Sequence, residues 1–289
     1  MIKHFTLGNL FVVLVLSSST QAEILKQLRE NHKEAYAISL NIENPKLGTD
    51  RDREKLEIWA DSHKKSQLTA KALIPALFNH WIDQPNDQQL KKEIESVYNG
   101  LAGKPTTQRY NQTQSFMSRI AWPLLAHSNL TKEQAELLAK LVKPPSAWRI
   151  SDVMARIGMP TEANGWDQQA VYALALIRLG KEKQARSEIS NLYAKASTNY
   201  KANPKGSLDY GPEAGESRYR DYVDYLQLCE LLSGFQDSIT NNHTGATKHV
   251  SQAQKLRNKV SPEAAVLIEE ISRRSKSDKH KQVPSRKTD

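Results

Sequence analysis

The residues best equipped for chemistry lie between Asp209 and Tyr225. There Asp209, Glu213, Glu216, Asp221 and Asp224 are interleaved with Tyr210, Tyr219, Tyr222 and Tyr225 and with Arg218 and Arg220. Tyrosine rings stack on sugar faces, and carboxylates and guanidiniums grip hydroxyl groups, so this stretch can bind a carbohydrate. A pair of carboxylates can also supply the acid and the base for cleaving a glycosidic bond. A plainer use fits the same residues. Glu216 and Asp221 in the first turn of a helix complement its dipole, and Tyr219, Tyr222 and Tyr225 form a packed or half-packed face.

Other chemistry is sparse. The eight histidines form no His-Glu-x-x-His pattern, and no cysteine pairs are present for zinc. His243 and His249 stand six apart, off a common helical face and astride an expected helix start. The chain has neither a glycine-rich phosphate loop nor a Gly-x-Ser-x-Gly elbow. Cys229, the single cysteine, follows Leu226 by three residues and reads as a small core residue rather than a reactive thiol. The sequence asks for no metal and no cofactor.

The elements that would position these residues are helices. Apolar spacing of three and four recurs throughout, and no segment sustains the two-residue alternation of a strand. Residues 23–42 form the first expected helix, with Ile24, Leu28, Ala35 and Ile38 to one side. A second carries Leu56 and Trp59 behind a cap at Thr49 or Asp50, and a third spans 68–82, with Pro75 as its start or a kink. Asn86 or Asp87 caps a helix whose Leu90, Ile94, Val97, Tyr98 and Leu101 share one face. Residues 108–127 hold Phe116, Met117, Ile120 and Leu124, with a kink at Pro123. Thr131 with Gln134 makes a capping-box pattern before Leu138, Leu141 and Val142. After a short helix at 152–157, residues 166–198 form a helix pair joined at Gly180. A long loop covers 199–216, Ser217 opens a helix that stops at Gly234, and two further helices cover 246–259 and 262–274, the last behind Ser261-Pro262.

The pair at 166–198 resembles a tetratricopeptide repeat. Tyr172 and Ala173 occupy the family's large-small pair, Leu176 its tyrosine position and Gly180 its turn. Ala185 and Ile189 take the packing positions of the second helix. Gln169 stands where the family has tryptophan, Leu192 replaces a small residue, and no proline closes the unit. One period upstream, only Leu138-Ala139 and Val142 match. The resemblance implies stacked helical hairpins with a groove for a protein or peptide. In that groove Trp166, Tyr172 and Leu176 are the candidate binding residues, with Tyr210, Tyr219 and Tyr222 on its rim. Asn241-Asn242-His243 is similar to an element of helical-ring polysaccharide lyases. That resemblance implies an alternative catalytic set of His243 and Asn242 with Tyr219 and Glu216, acting on an anionic glycan. Thr244-Gly245-Ala246 stands where the lyases have aromatic residues, and a polar loop ending in a helix cap accounts for the same letters.

Location is read from the first residues. Lys3 and His4 precede an apolar run from Leu10 to Leu16, followed by small polar residues from Ser17 to Thr20 and then Gln21-Ala22. This is the pattern of a signal peptide covering residues 1–22, cut after Ala22. The run is much shorter than the roughly 20 apolar residues of a spanning helix, so no transmembrane anchor is expected. The net charge of +9 is uneven: residues 273–289 contribute +5 and Lys3 +1, leaving +3 for the body. A nearly balanced body with a basic end is not a nucleic-acid-binding face. Residues 273–289 read as a disordered basic tail able to touch an anionic surface. The expected organisation is therefore an all-α helical-hairpin solenoid or α-α superhelix, divided into residues 23–145 and 146–272. The expected function is that of an exported binding or scaffold protein, periplasmic or secreted, with a protein or peptide partner in the envelope or extracellular space.

Overall fold

The computed structural model describes residues 18–41, 50–102, 108–127, 129–144, 164–205, 207–213, 216–257 and 260–281. The expected short helix at 152–157, residues 1–17 of the expected signal peptide and residues 282–289 of the expected tail lie outside them. Ten helices are seen among the described residues: α1 (Ser18–Asn41), α2 (Asp50–Asp83), α3 (Gln88–Ala102), α4 (Gln108–Ala126), α5 (Lys132–Val142), α6 (Asn164–Arg178), α7 (Glu182–Ala202), α8 (Tyr222–Ile239), α9 (His243–Leu256) and α10 (Pro262–Lys281). The fold is all-helical apart from one antiparallel pair, β1 (Ser207–Glu213) and β2 (Glu216–Asp221). No helix among the described residues is long and apolar enough to cross a membrane.

The chain divides into two units, residues 1–73 and 74–289, which meet inside α2. In the first, Leu25, Ala70 and Leu73 are buried, and α1 begins four residues before the expected cleavage position. The second holds the larger core, with Phe78, Trp81, Ile94, Met117, Leu138, Leu174, Tyr225 and Phe235 all essentially inaccessible. Within it α4 and α5 pack against α6, α6 against α7, α7 against α8 and α8 against α9, while α10 lies on α8 and α4. Residues 146–160, the expected boundary, fall outside the described residues, and the helices on either side of them pack together in this one unit.

Helix starts follow local chemistry. Asp87 Oδ1 accepts from the amides of Gln89 (2.9 Å) and Leu90 (3.2 Å) and opens α3. Thr131 and Gln134 exchange both capping-box hydrogen bonds at α5. Gln134 then does more than cap: its Nε2 donates to the Trp81 carbonyl at 2.5 Å, tying α5 to the end of α2 inside the core. Ser261 Oγ accepts from the Ala264 amide at 3.2 Å and starts α10.

The α6–α7 and α8–α9 pairs are the same hairpin, 61 residues apart. Gly180 and Asn241 both take the left-handed conformation at the turn, with φ of 69° and 62°. The Lys181 amide donates to Leu176 O (2.9 Å), and the Asn242 amide to Asp237 O (2.8 Å). The Ala185 amide donates to Lys181 O (3.0 Å), and the Ala246 amide to Asn242 O (2.9 Å). The contact residues correspond as well: Ala173 with Gly234, Ala185 with Ala246, Ile189 with Val250 and Leu192 with Ala253. The small residues among them, at 173 and 234 and at 185 and 246, let paired helices approach closely. Gly180 has open space around it and is selected by its φ alone.

Three expectations are corrected. The stretch from 207 to 221 is a β-hairpin, not a loop running into a helix, and Asp221 rather than Ser217 caps α8. Its register pairs Asp209 with Tyr219 and Tyr210 with Arg218, and it shifts between Tyr210 and Glu213 beside Gly211-Pro212. That break suits the lost donor of proline. Gly234 lies inside α8 instead of ending it, because α8 and α9 approach too closely there for a side chain. Residues 273–281 are the last turns of α10 rather than tail, since Glu270 holds the guanidiniums of Arg273 and Arg274 at i+3 and i+4.

Candidate binding surface

The sequence-nominated residues fall into separate places. Trp166 and Tyr222 come together where α6 and α8 begin and the β-hairpin arrives. Their ring centroids are 6.0 Å apart, and Tyr225 meets the Trp166 ring edge-on at 5.1 Å. Trp166 is only 6% exposed and Tyr225 fully buried. Trp166, a candidate binding residue of the groove, is thus the packing link between two hairpins, and the half-buried Tyr222 is the member of the cluster that reaches solvent. Leu176, ten residues along α6 and therefore about 15 Å away, is buried in the core, while Tyr172 is half-buried. Tyr210 and Tyr219 lie on the two strands, and Glu216 opens β2.

Charge organises the same end. Arg257 Nη1, just past α9, donates to Asp221 Oδ2 (2.7 Å) and Asp224 Oδ1 (2.8 Å). Gln227, fully buried, donates to Ala253 O (3.1 Å) and Arg257 O (3.0 Å), so the backbone carrying Arg257 is fixed to α8. Two of the carboxylates nominated for gripping a sugar, Asp221 and Asp224, are thus bound to a guanidinium, and Asp221 also caps α8. This arrangement ties the end of β2 and the start of α8 to the end of α9.

At the opposite end of α8 the second nominated set resolves into a helix start. Asn242 Oδ1 accepts from the Gly245 amide at 3.1 Å and caps α9, and Asn241 supplies the left-handed turn. His243 is the first residue of α9, so His243 and His249 lie on one helix rather than astride its start. His249 belongs to a grouping that spacing does not reveal. Its Nδ1 lies 2.7 Å from Glu230 Oε2, and its Nε2 lies 3.8 Å from Asp237 Oδ2. Glu230 and Asp237 stand seven apart on one side of α8, with Gly234 between them, which is the only hint the sequence offers. The two carboxylates hold the imidazole in place across the α8–α9 contact. Among the described residues no three His, Cys, Asp or Glu side chains are arranged to hold a metal ion.

Cys229 faces α7, its Sγ 3.7 Å from the Ile189 carbonyl, and is buried. Burial, followed by the neighbouring Glu230 charge, pushes its thiol well above the ordinary range. Dithionitrobenzoate is expected to label Cys229 about two orders of magnitude more slowly in folded than in denaturant-unfolded protein. Equal rates would place the thiol at the surface and contradict the α7–α8 packing.

No protein-family model, no curated protein and no solved structure matches the chain.

Proposed function

We propose that this is an exported helical-repeat protein that binds a protein or peptide partner outside the cytoplasm, in the periplasm or after secretion. One observation carries the reading: the hairpin α6–α7 recurs as α8–α9, down to the left-handed turn residue and its hydrogen bonds. Repeated hairpins bury their cores against their neighbours and leave long surfaces for partners. The tetratricopeptide resemblance supports the same view. Gly234, Ala246, Val250 and Ala253 fall at that family's contact positions in the second unit. Relative to the family's roughly 34-residue period, the spacing is stretched by the segment that contains the β-hairpin. The half-buried Tyr172 and Tyr222 are then the exposed parts of a binding face, with the β-hairpin as its rim.

The test is site-specific photo-crosslinking in the native compartment. Benzoylphenylalanine at position 172 or 222 should give one discrete adduct, whereas the same group at Glu136, exposed on α5, should not. If none of the three positions yields an adduct above background in folded, exported protein, the binding reading fails.

A further inference from the structure

Arginine is the residue of choice where a doubly charged oxyanion is bound, because its planar donor fork matches adjacent oxygens and its charge is permanent. Three arginines gather where α10 lies on α4 and α8, close to the end of α6. Arg178, the last residue of α6, donates from Nη2 to the His127 carbonyl, just past the end of α4. That carbonyl, which also accepts from the Leu130 amide at 3.3 Å, carries no net charge, so it attracts the cation without neutralising it. Arg273 makes a two-point contact with Glu270 through Nε and Nη2, both at 2.7 Å. Arg274 donates from Nε to Glu270 Oε1 at 2.8 Å and lies over the Phe235 ring, 5.6 Å from its centroid.

Among the described residues, Glu270 is the only carboxylate paired with any of the three, one carboxylate for three guanidiniums. Nor is Glu270 free to serve Arg178. Burial raises its pKa, but the hydrogen bond from Arg273 and the charges of both neighbours outweigh that and keep it ionised. Arg178 is the exposed weakness of the arrangement. Burial, then repulsion from Arg274, lowers its pKa to about 10 despite the opposing attraction of Glu270, and among the described residues no carboxylate is hydrogen-bonded to it. A guanidinium partly removed from water beside like charges is unfavourable unless an anion joins it. The terminal nitrogens of Arg274 make no hydrogen bond among the described residues, and the phenyl face of Phe235 holds that side chain in position. The arrangement thus has donors from two elements, three guanidiniums to one paired carboxylate among the described residues, and a buried carboxylate that spaces its arginines.

We propose that Arg178 of α6 with Arg273 and Arg274 of α10 forms a binding site for a phosphate or sulfate group. The chemistry is the same whether the group is a free inorganic anion or part of a phosphorylated lipid headgroup. The site does not depend on the partner-binding reading, since its evidence lies at the other end of α6.

The test uses the full chain in buffers of equal ionic strength containing chloride, inorganic phosphate or sulfate, with thermal unfolding and arginine Nε–H NMR shifts as readouts. Phosphate and sulfate should stabilise the protein beyond chloride and shift the Arg178 and Arg274 signals with saturation. Arg178→Gln and Arg274→Gln should each weaken the apparent affinity about tenfold or more. Arg178→Gln releases the His127 carbonyl, so the half-exposed Arg273→Gln serves as a second, structurally milder test that should weaken binding in the same sense. Glu270→Gln should tighten binding, a direction that damage to the fold would not produce. Vesicles of phosphatidic acid, with phosphatidylcholine as control, separate the two sources. Vesicle capture that requires Arg178 and is competed by phosphate identifies a lipid headgroup, and saturable phosphate binding without capture identifies a free anion. Responses to phosphate that match chloride, or that persist unchanged in all three arginine variants and so show an adventitious ion only, overturn the site.

Discussion

Trp166→Ala is expected to lower the unfolding free energy by about 3–5 kcal/mol, the range for removing a large aromatic from a core. The side chain is 6% exposed, so nearly all its surface is withdrawn from water. Its ring meets Tyr225 at 5.1 Å and Tyr222 at 6.0 Å, and such aromatic pairs add roughly 0.5–1.5 kcal/mol each beyond the area they bury. Collapse around the cavity is restricted. Tyr225 is held on α8, and the start of α8 is fastened through Asp221 and Asp224 to Arg257. Trp166→Phe keeps an edge for Tyr225 to meet and should recover more than half of the loss. Guanidinium unfolding followed by circular dichroism measures both variants. A change below about 1 kcal/mol would mean that Trp166 faces solvent and would return it to the binding surface.

What could be read from the sequence was whatever is written locally. Thr131 and Gln134 form a capping box from their own spacing, and Asp87 caps α3 in the same way. Gly180 marks a turn that needs a left-handed residue. These signals involve residues within a few positions of each other, so no knowledge of the fold is required. The second hairpin escaped for the opposite reason. Its turn uses Asn241 instead of glycine, and its distance from the first is set by the β1–β2 insertion. A fixed-period search therefore lands between the strands and misses Gly234, Ala246 and Ala253. Composition misled twice. Tyr-, Arg- and Glu-rich letters read as a helix start at 216–221, where pairing across the hairpin decides the conformation. A lysine- and arginine-rich end read as tail, though Glu270 and Phe235 order its first two arginines.

The candidate site divides along the same line. Trp166 and Tyr222 were nominated by type and do meet, but one is buried, and burial depends on how α6 meets α8. Glu230 and His249 are 19 residues apart, and they face one another only because the turn at Asn241 reverses the chain. The three arginines come from segments nearly a hundred residues apart, and their shared excess of charge exists only after α10 is laid on α4 and α8.

Gly234→Leu carries the other large expected effect, a loss of about 3 kcal/mol or more, at the upper end of overpacking. A Cβ at position 234 would stand 3.0 Å from His249 Cβ, 3.2 Å from the Ala246 carbonyl oxygen and 3.4 Å from Ile271 Cδ1. Two of those atoms are backbone or bonded directly to it on α9, so they cannot rotate aside. The helices themselves must separate. Separation would pull His249 away from Glu230 and Asp237, since the 2.7 Å contact crosses the same α8–α9 interface. It would also disturb the Ile271 turn of α10, one residue from Glu270. Gly234→Ala tests the balance more finely. Alanine gains about 1 kcal/mol of helix propensity over glycine in a helix interior, yet the contacts are tighter than a Cβ normally accepts, so no net stabilisation is expected. The neighbouring Ser233→Ala, half-buried on the same helix, provides the propensity control. Denaturant midpoints for the three variants decide the matter. A Gly234→Ala protein more stable than the parent by the full propensity gain would show that α8 and α9 do not close on each other at this point, and the equivalence of the two hairpins would lose its tightest contact.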